Sequence, residues 1–264
     1  MRFVRYQVEG EVRHGLVEGD RVRELLRTFF DGVVPMATTY ALDDLDLLAP
    51  CRPAKMLCLG INYRDHAEEM GHTLPEEPVL FLKPPSALAG PGQPIVYPHM
   101  AGRVDYEAEL AVVIGRRCRS VPPEKVHKFV FGYTCFNDVT ARDLQSKDGQ
   151  WSRAKGFDTF GVLGPWIETE PGDPGRLAVT CRLNGEVRQS SSTEQLLFDC
   201  RSVVSWASRI MTLEPGDVIA TGTPSGIGPM QPGDTVEVEV EGIGVLRNTV
   251  EAEREKGAKP ARVL

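Results

Sequence analysis

Three carboxylates limit the chemistry open to this chain. Glu107 and Glu109 stand two residues apart in DYEAELAVVIG, so on a strand both side chains leave the same face. Asp138 closes the apolar run FVFGYTCF, just after Asn137. Carboxylates converging beside apolar sheet repel one another and resist desolvation unless a cation neutralises them. Hard oxygen ligands with no His or Cys beside them select Mg²⁺, Mn²⁺ or Ca²⁺ rather than zinc. The same spacing also fits the wet face of a half-exposed strand. Against that, the alternation stops after Leu110 and the run stays apolar through Val113, as if the strand left a polar cavity for buried ground.

Other residues could work on a bound molecule. His66 and Glu69 are three apart in RDHAEEMG and share one helical face. A carboxylate beside an imidazole orients the ring and raises its basicity, which suits a general base, although a solvated surface helix gives the same pair. Lys155 precedes a Gly-rich turn, where it can meet a carboxylate or a developing oxyanion, or simply face water. Arg142, three residues before Gln145, can grip an acidic substrate in a fork or pair with Asp143 or another local acid. Lys83 follows VLFL and either enters a pocket or snorkels outward, the commoner outcome. The loop TGTPSGIG, residues 221–228, can offer backbone N–H groups to an anion or serve as a tight turn. Walker, GxGxxG and GxSxG patterns are absent.

These groups need elements to hold them. Residues 1–50 alternate apolar and polar positions between Gly turns, the pattern of a short antiparallel meander, and end at Pro50 and Pro53. This stretch reads as a small packing or dimerisation unit, with hydroxyl or acid groups near residue 40 available to cap a helical turn. KMLCLGINY predicts a buried strand broken at Gly60, and RDHAEEMG a short helix stopped by Gly71. LAVTCRLNGEVRQ predicts a hairpin with Asn184-Gly185 at its tip. The apolar spacing of residues 196–211 predicts a helix ended by Pro215 and Gly216. VEVEV reads as an exposed strand and EREKGAKPARVL as a frayed, charged tail.

A chain of 264 residues, 41% hydrophobic and 25% charged, is an ordinary globular composition with room for one sizeable core or two modest ones. The net charge of −7 argues against nucleic acid as the main partner. No signal-peptide core and no bilayer-length apolar run is present, so no membrane association and a cytoplasmic location are expected. The six cysteines form no CxxC pair and no His-Cys cluster; Cys58, flanked by apolar residues, reads as core.

GINYRDHAEEMG, PVLFLKP, DYEAELAVVIG, NDVTARDLQ, AKGFDTFGVLGP and TGTPSGIG occur in an order that resembles the fumarylacetoacetate hydrolase family over residues 55–230. The resemblance implies an α+β fold, a mixed β-roll with short helices, in which residues 1–50 are a small N-terminal β-rich domain and 51–264 the catalytic domain. It implies a homodimer that takes a small-molecule 2-oxo acid. It makes Glu107, Glu109 and Asp138 ligands of Mg²⁺, with Mn²⁺ or Ca²⁺ possible in its place. His66 and Glu69 become the proton-moving pair of a lid segment. Lys155 neutralises a substrate carboxylate or oxyanion, and Arg142, Gln145 and Thr223 contact substrate.

Chains with such an N-terminal unit resemble the isomerases and decarboxylases of homoprotocatechuate breakdown. The expected activity is therefore a metal-dependent isomerase, with decarboxylation a further capacity, acting on 2-hydroxyhepta-2,4-diene-1,7-dioate-type diacids. Alternatives are an acylpyruvate- or fumarylpyruvate-type C–C hydrolase and an oxaloacetate decarboxylase. An alternative of another class is a metal-stabilised binding protein with no catalytic role, which would keep the acids but need neither His66 and Glu69 nor Lys155.

Overall fold

The computed structural model describes residues 1–254; the charged tail expected at the C-terminus falls, from residue 255 onward, outside them. The run that follows the Glu-x-Glu pair forms the strand Ala108–Ile114, buried at every position. It pairs antiparallel with Val130–Asp138 on one side and with Val218–Ala220 on the other. Its side chains divide between two apolar clusters. Leu110, Val112 and Ile114 pack with Ile219 and Val238, whereas Ala111 and Val113 pack with Met56, Phe136 and Leu163. Burial on both faces explains why the sequence runs continuously apolar there instead of alternating. Each fully buried aliphatic side chain contributes about 1.5–3 kcal/mol, which offsets the cost of placing an acid at the start of the strand.

From this strand the sheet grows both ways. Val218–Ala220 runs parallel to Met56–Gly60, which pairs antiparallel with Val79–Lys83. On the other side Val130–Asp138 pairs with Gly161–Glu168, and that strand pairs with Arg2–Val8. The N-terminal meander Arg2–Val8, Glu11–Glu18, Arg21–Leu25 and Pro35–Ala41 continues the same sheet, which has 12 strands among the described residues. The stretch before residue 50 thus shares hydrogen-bonded sheet with the stretch after it. A three-stranded sheet joins Thr140–Ala141, Val104–Tyr106 and Gly228–Met230, bringing three distant parts of the chain to the acids. A five-stranded sheet contains the predicted hairpin, whose tip residues Asn184 and Gly185 have φ of 54° and 82°, the primed turn that Asn-Gly favours. Mixed sheet and short helices give the expected α+β class.

The helix Arg64–Glu69 ends as the sequence predicts. Gly71, at φ 65°, lets its own N–H reach Glu68 O (3.2 Å) and the His72 N–H reach Ala67 O (2.9 Å). The later helix is shorter than expected. It runs Cys200–Ile210, with Asp199 accepting from Ser202 N, and stops before Pro215 because Leu213 pairs with Cys118 through two backbone hydrogen bonds of 2.9 Å. The 3-10 turn Leu42–Asp44 receives no side-chain cap from Ala41. Thr235–Val240 is half-buried rather than exposed: its valines face the core between two neighbouring strands. All six cysteines are free and buried. Among the described residues no helix is long and apolar enough to cross a membrane.

Candidate active site and metal centre

Glu107 lies in the one-residue break between Val104–Tyr106 and Ala108–Ile114. Its N–H donates to Asn137 Oδ1 (3.0 Å) and its carbonyl accepts from Asp138 N (2.9 Å), so the neighbouring strand holds it at the break. Glu109 is the second residue of the buried strand, opposite Phe136, and Asp138 ends the partner strand. One carboxylate oxygen from each of Glu107, Glu109 and Asp138 lies within 4.8 Å of the others, and all three residues are buried. The three acids expected to converge do so.

Cations surround two of the three acids. Lys155 Nζ donates to Glu107 Oε2 and to Asp138 Oδ2, both at 2.7 Å, with its other side 5.0 Å from the centre of the Phe81 ring. Lys83, fully buried, pairs with Asp138 and donates to Val139 O (3.0 Å). Arg142 pairs with Glu107 and, through Nε, with Asp105 (3.0 Å), while its Nη1 donates to Gln145 Oε1 (2.6 Å). Burial alone would raise Glu107; Lys155 and Arg142 outweigh it and hold the carboxyl at about 2. Burial alone would lower Lys155; Asp138 and Glu107 hold it above its ordinary value.

Glu109 is different. Its carboxylate accepts one hydrogen bond, from Gly222 N (2.8 Å), and burial together with the Asp138 and Glu107 charges pushes it well above the carboxylate range. A buried carboxylate crowded by two others and given no side-chain cation is what a divalent ion would relieve. The donor set is all oxygen, so Glu107, Glu109 and Asp138 fit a hard cation such as Mg²⁺, Mn²⁺ or Ca²⁺.

Glu107 is the member of the triad that lines a cavity of about 280 Å³. His66, Glu107, Arg142, Gln145, Lys155 and Thr223 all line it, with Leu59, Phe81 and Trp151 among its apolar surfaces. His66 Nδ1 lies 3.1 Å from Glu69 Oε2, and Glu69 Oε1 accepts from Gly226 N (3.0 Å). An ionised carboxylate can only accept, so the ring hydrogen sits on Nδ1 and Nε2 is left as the basic nitrogen. Asp65, next to His66, accepts from Ser191 Oγ (2.6 Å), a second tie between this helix and the sheets. Thr223 lines the cavity, but its hydroxyl is already committed: it donates to Ala108 O and accepts from Gln189 Nε2, both at 2.9 Å.

Several residues at the site escape a reading of local pattern. Lys83 turns inward instead of snorkelling, because its strand ends beside Asp138. Arg142 finds Asp105 and Glu107, whereas Asp143 accepts from the Gly102 and Arg103 amides. The amides of the Gly-rich loop point at the protein's own acids, Gly222 to Glu109 and Gly226 to Glu69. Gly222 has a φ of 98°, and a Cβ there would come 3.0 Å from Asn62 Cβ, so the bond to Glu109 depends on glycine. Ile61, on the cavity wall, has a φ of 53°, strained for a β-branched residue. His72 joins the lining next to Met70 and carried no signal beyond its residue type.

Residues 55–251 match the family described as fumarylacetoacetate (FAA) hydrolase C-terminal, and residues 1–50 match one described as Rv2993c-like, N-terminal. The chain is similar to the crystal structure of a 5-carboxymethyl-2-hydroxymuconate delta-isomerase from Mycobacterium smegmatis. The TM-score is 0.90 at 46% identity, covering 96% of this chain and 100% of that one. A maleylpyruvate hydrolase from Sphingobium sp. SYK-6, in complex with manganese (II) ion and pyruvate, aligns with a TM-score of 0.80 at 31% identity, again over 96% and 100%. Oxaloacetate tautomerase Fahd2a, mitochondrial, of Rattus norvegicus is 42% identical over 214 residues, 77% of this chain and 68% of that protein.

Proposed function

This chain belongs to the fumarylacetoacetate hydrolase family, and from that premise we propose that it is a divalent-metal-dependent isomerase of 2-hydroxy dienoic diacids of the 2-hydroxyhepta-2,4-diene-1,7-dioate type. One observation carries the reading. Glu107 of the acidic triad and His66 of the His66–Glu69 pair line a single cavity, and the guanidinium of Arg142 lines it too. Proton relocation on an enolised 2-oxo acid needs those three things together.

Glu107, Glu109 and Asp138 hold the cation, Mg²⁺ by preference with Mn²⁺ or Ca²⁺ able to replace it. When bound, that cation supplies Lewis-acid stabilisation of charge on the substrate's 2-oxygen. His66 Nε2 moves a proton between the enol oxygen and the carbon at the far end of the conjugated system. Glu69 holds the Nδ1–H and stabilises the ring while it is charged. Lys155, held between Glu107 and Asp138 on the cavity wall, would place its positive charge where it neutralises a substrate carboxylate or oxyanion. Arg142 fixes Gln145 through its oxygen, which leaves the Gln145 amide nitrogen to donate to a substrate carboxylate. Leu59, Phe81 and Trp151 keep bulk water from the reacting carbons. Residues 1–50 act as a packing unit for the catalytic domain 51–264, and the working form is a cytoplasmic homodimer.

A second reading, keto–enol tautomerisation of oxaloacetate, draws support from the rat relative and uses the same proton movement on a shorter diacid. Ultraviolet spectroscopy separates the readings. The dienol diacid, enolic oxaloacetate and acetylpyruvate are each followed with Mg²⁺ and with a chelator. The isomerase reading expects fastest loss of dienol absorbance, without cleavage products, and loss of that rate with the chelator. Turnover of acetylpyruvate alone, with C–C cleavage, would overturn it in favour of a hydrolase.

A further inference from the structure

A second cavity, of about 480 Å³, lies where the N-terminal strands meet the rest of the chain, and it shares no lining residue with the first. Arg5 reaches it from the strand Arg2–Val8 and Arg52 from the segment that leads into Met56–Gly60. Ser86 and Gln93 complete its polar lining, and among the described residues no carboxylate takes part. Among the described residues the Arg5 side chain makes one hydrogen bond, Nη1 to Ala49 O (3.1 Å). Burial, and after it the Arg52 charge, lowers Arg5 from its ordinary value, and no carboxylate contributes to the shift. Gln93 Oε1 accepts from Gly90 N (2.7 Å), which leaves the Nε2 end of that amide as a donor.

Two guanidinium groups, an amide and a hydroxyl therefore line a hollow without an acidic side chain among the described residues, in a protein of net charge −7. A half-buried guanidinium beside a like charge costs free energy until an acceptor arrives. The overall negative field repels anions, so an anion held here needs a local arrangement of donors rather than general attraction. We propose that Arg5 and Arg52, with Gln93 and Ser86, form a binding site for a doubly charged oxyanion, a phosphate group or a dicarboxylate, distinct from the candidate active site. Guanidinium forks suit either group. One wall is the 3-10 turn Pro85–Ala87, two residues after Lys83, so the ligand braces the N-terminal strands against the segment that supplies Asp138 with its buried cation.

Isothermal calorimetry on the full chain tests this without reference to turnover. Inorganic phosphate is titrated in one arm and succinate in the other, at fixed ionic strength and without added divalent cation. The expected result is one saturable site per chain in at least one arm, and the tighter arm names the ligand class. Arg52 is exposed, so Arg52→Gln folds; it weakens binding about tenfold or more, the loss expected for a charge-assisted bond. Arg52→Lys, which keeps the charge but not the fork, falls between. No saturable binding at millimolar anion, or binding unchanged in Arg52→Gln, overturns the proposal. So does dissociation of a dimer by Arg52→Gln in anion-free sedimentation, which assigns the arginines to a subunit contact.

Discussion

Lys83 and Asp138 form an ion pair shut off from water, the lysine side chain 0% exposed and the aspartate 1%. The strands Val79–Lys83 and Val130–Asp138 end at the same point, so the pair belongs to the sheet rather than to a mobile surface. Breaking a buried pair by removing one partner costs about 3–5 kcal/mol. Lys155 also reaches Asp138, which places the expected cost of Lys83→Met at the lower end of that range. Because a divalent ion can replace the lost charge, added Mg²⁺ restores more stability in Lys83→Met than it adds to the wild type. Denaturant titrations with and without Mg²⁺ measure this, and an equal loss in both would separate Lys83 from metal binding.

Glu109 is the proposed ligand whose carboxyl has least support from neighbouring cations. Replacing it by glutamine removes a buried acid whose ionisation is opposed by burial, Asp138 and Glu107, so metal-free Glu109→Gln is as stable as the wild type or more so. The same change weakens Mn²⁺ binding by about 100-fold or more, beyond what loss of a supporting hydrogen bond costs. Calorimetry with Mn²⁺ decides it; wild-type affinity in the variant would remove Glu109 from the ligand set.

His66 touches none of the three acids through a hydrogen bond, so its loss separates proton transfer from metal binding. His66→Ala retains Mn²⁺ affinity while its turnover falls by about 10²–10⁴-fold, the usual worth of a positioned general base. Glu69→Gln keeps the bond from the Gly226 amide through its oxygen but turns an NH2 donor toward Nδ1, which moves the ring hydrogen to Nε2, so its turnover falls about as far as that of His66→Ala. A variant with His66 removed that still turns over at the wild-type rate would move the proton-transfer role elsewhere.

The sequence left the triad as one of two readings, since acids beside apolar strand also fit a wet strand face, and it showed the Asn184–Gly185 turn and the Gly71 stop because both are local backbone demands. It could not show Lys83, whose partner lies 55 residues away and becomes a neighbour only through sheet pairing. The same holds for Arg142, paired across 35 and 37 residues, and for the Gly222 amide, 113 residues from Glu109. Residue type names a cation; topology decides which acid it meets. The end of the helix Cys200–Ile210 follows the same rule, since the Cys118–Leu213 bridge overrides the stop expected at Pro215.

Ile61 holds a left-handed backbone on the cavity wall, fixed because Asn62 Nδ2 donates to Phe198 O and Thr221 O while its Oδ1 accepts from Phe198 N. Such strain costs about 1–3 kcal/mol and persists where the surroundings impose it. Ile61→Gly relieves the strain while losing partly buried side-chain packing, so its melting temperature stays close to the wild type. Its KM rises because one wall of the cavity is gone. Calorimetric melting read beside steady-state kinetics tests the pair of effects, and a severe loss of stability in Ile61→Gly would show that packing, not strain, dominates there.

His14 sits half-buried in the strand Glu11–Glu18, its ring edge-on to Phe29 at 5.4 Å. Burial, and after it the Arg5 charge, lowers its pKa, so the folded protein holds it neutral where the unfolded chain would protonate it. The unfolded side chain takes up its proton at about pH 6.5. Below that point the unfolded state binds more protons, so stability present above it is lost as pH falls, until the folded-state value is passed and the loss levels off. His14→Gln removes this component whatever its effect on stability at neutral pH. Denaturant midpoints taken between about pH 7.5 and about pH 5 are expected to fall more steeply for the wild type than for the variant. Parallel curves would mean that the acid sensitivity of the N-terminal strands arises at another group.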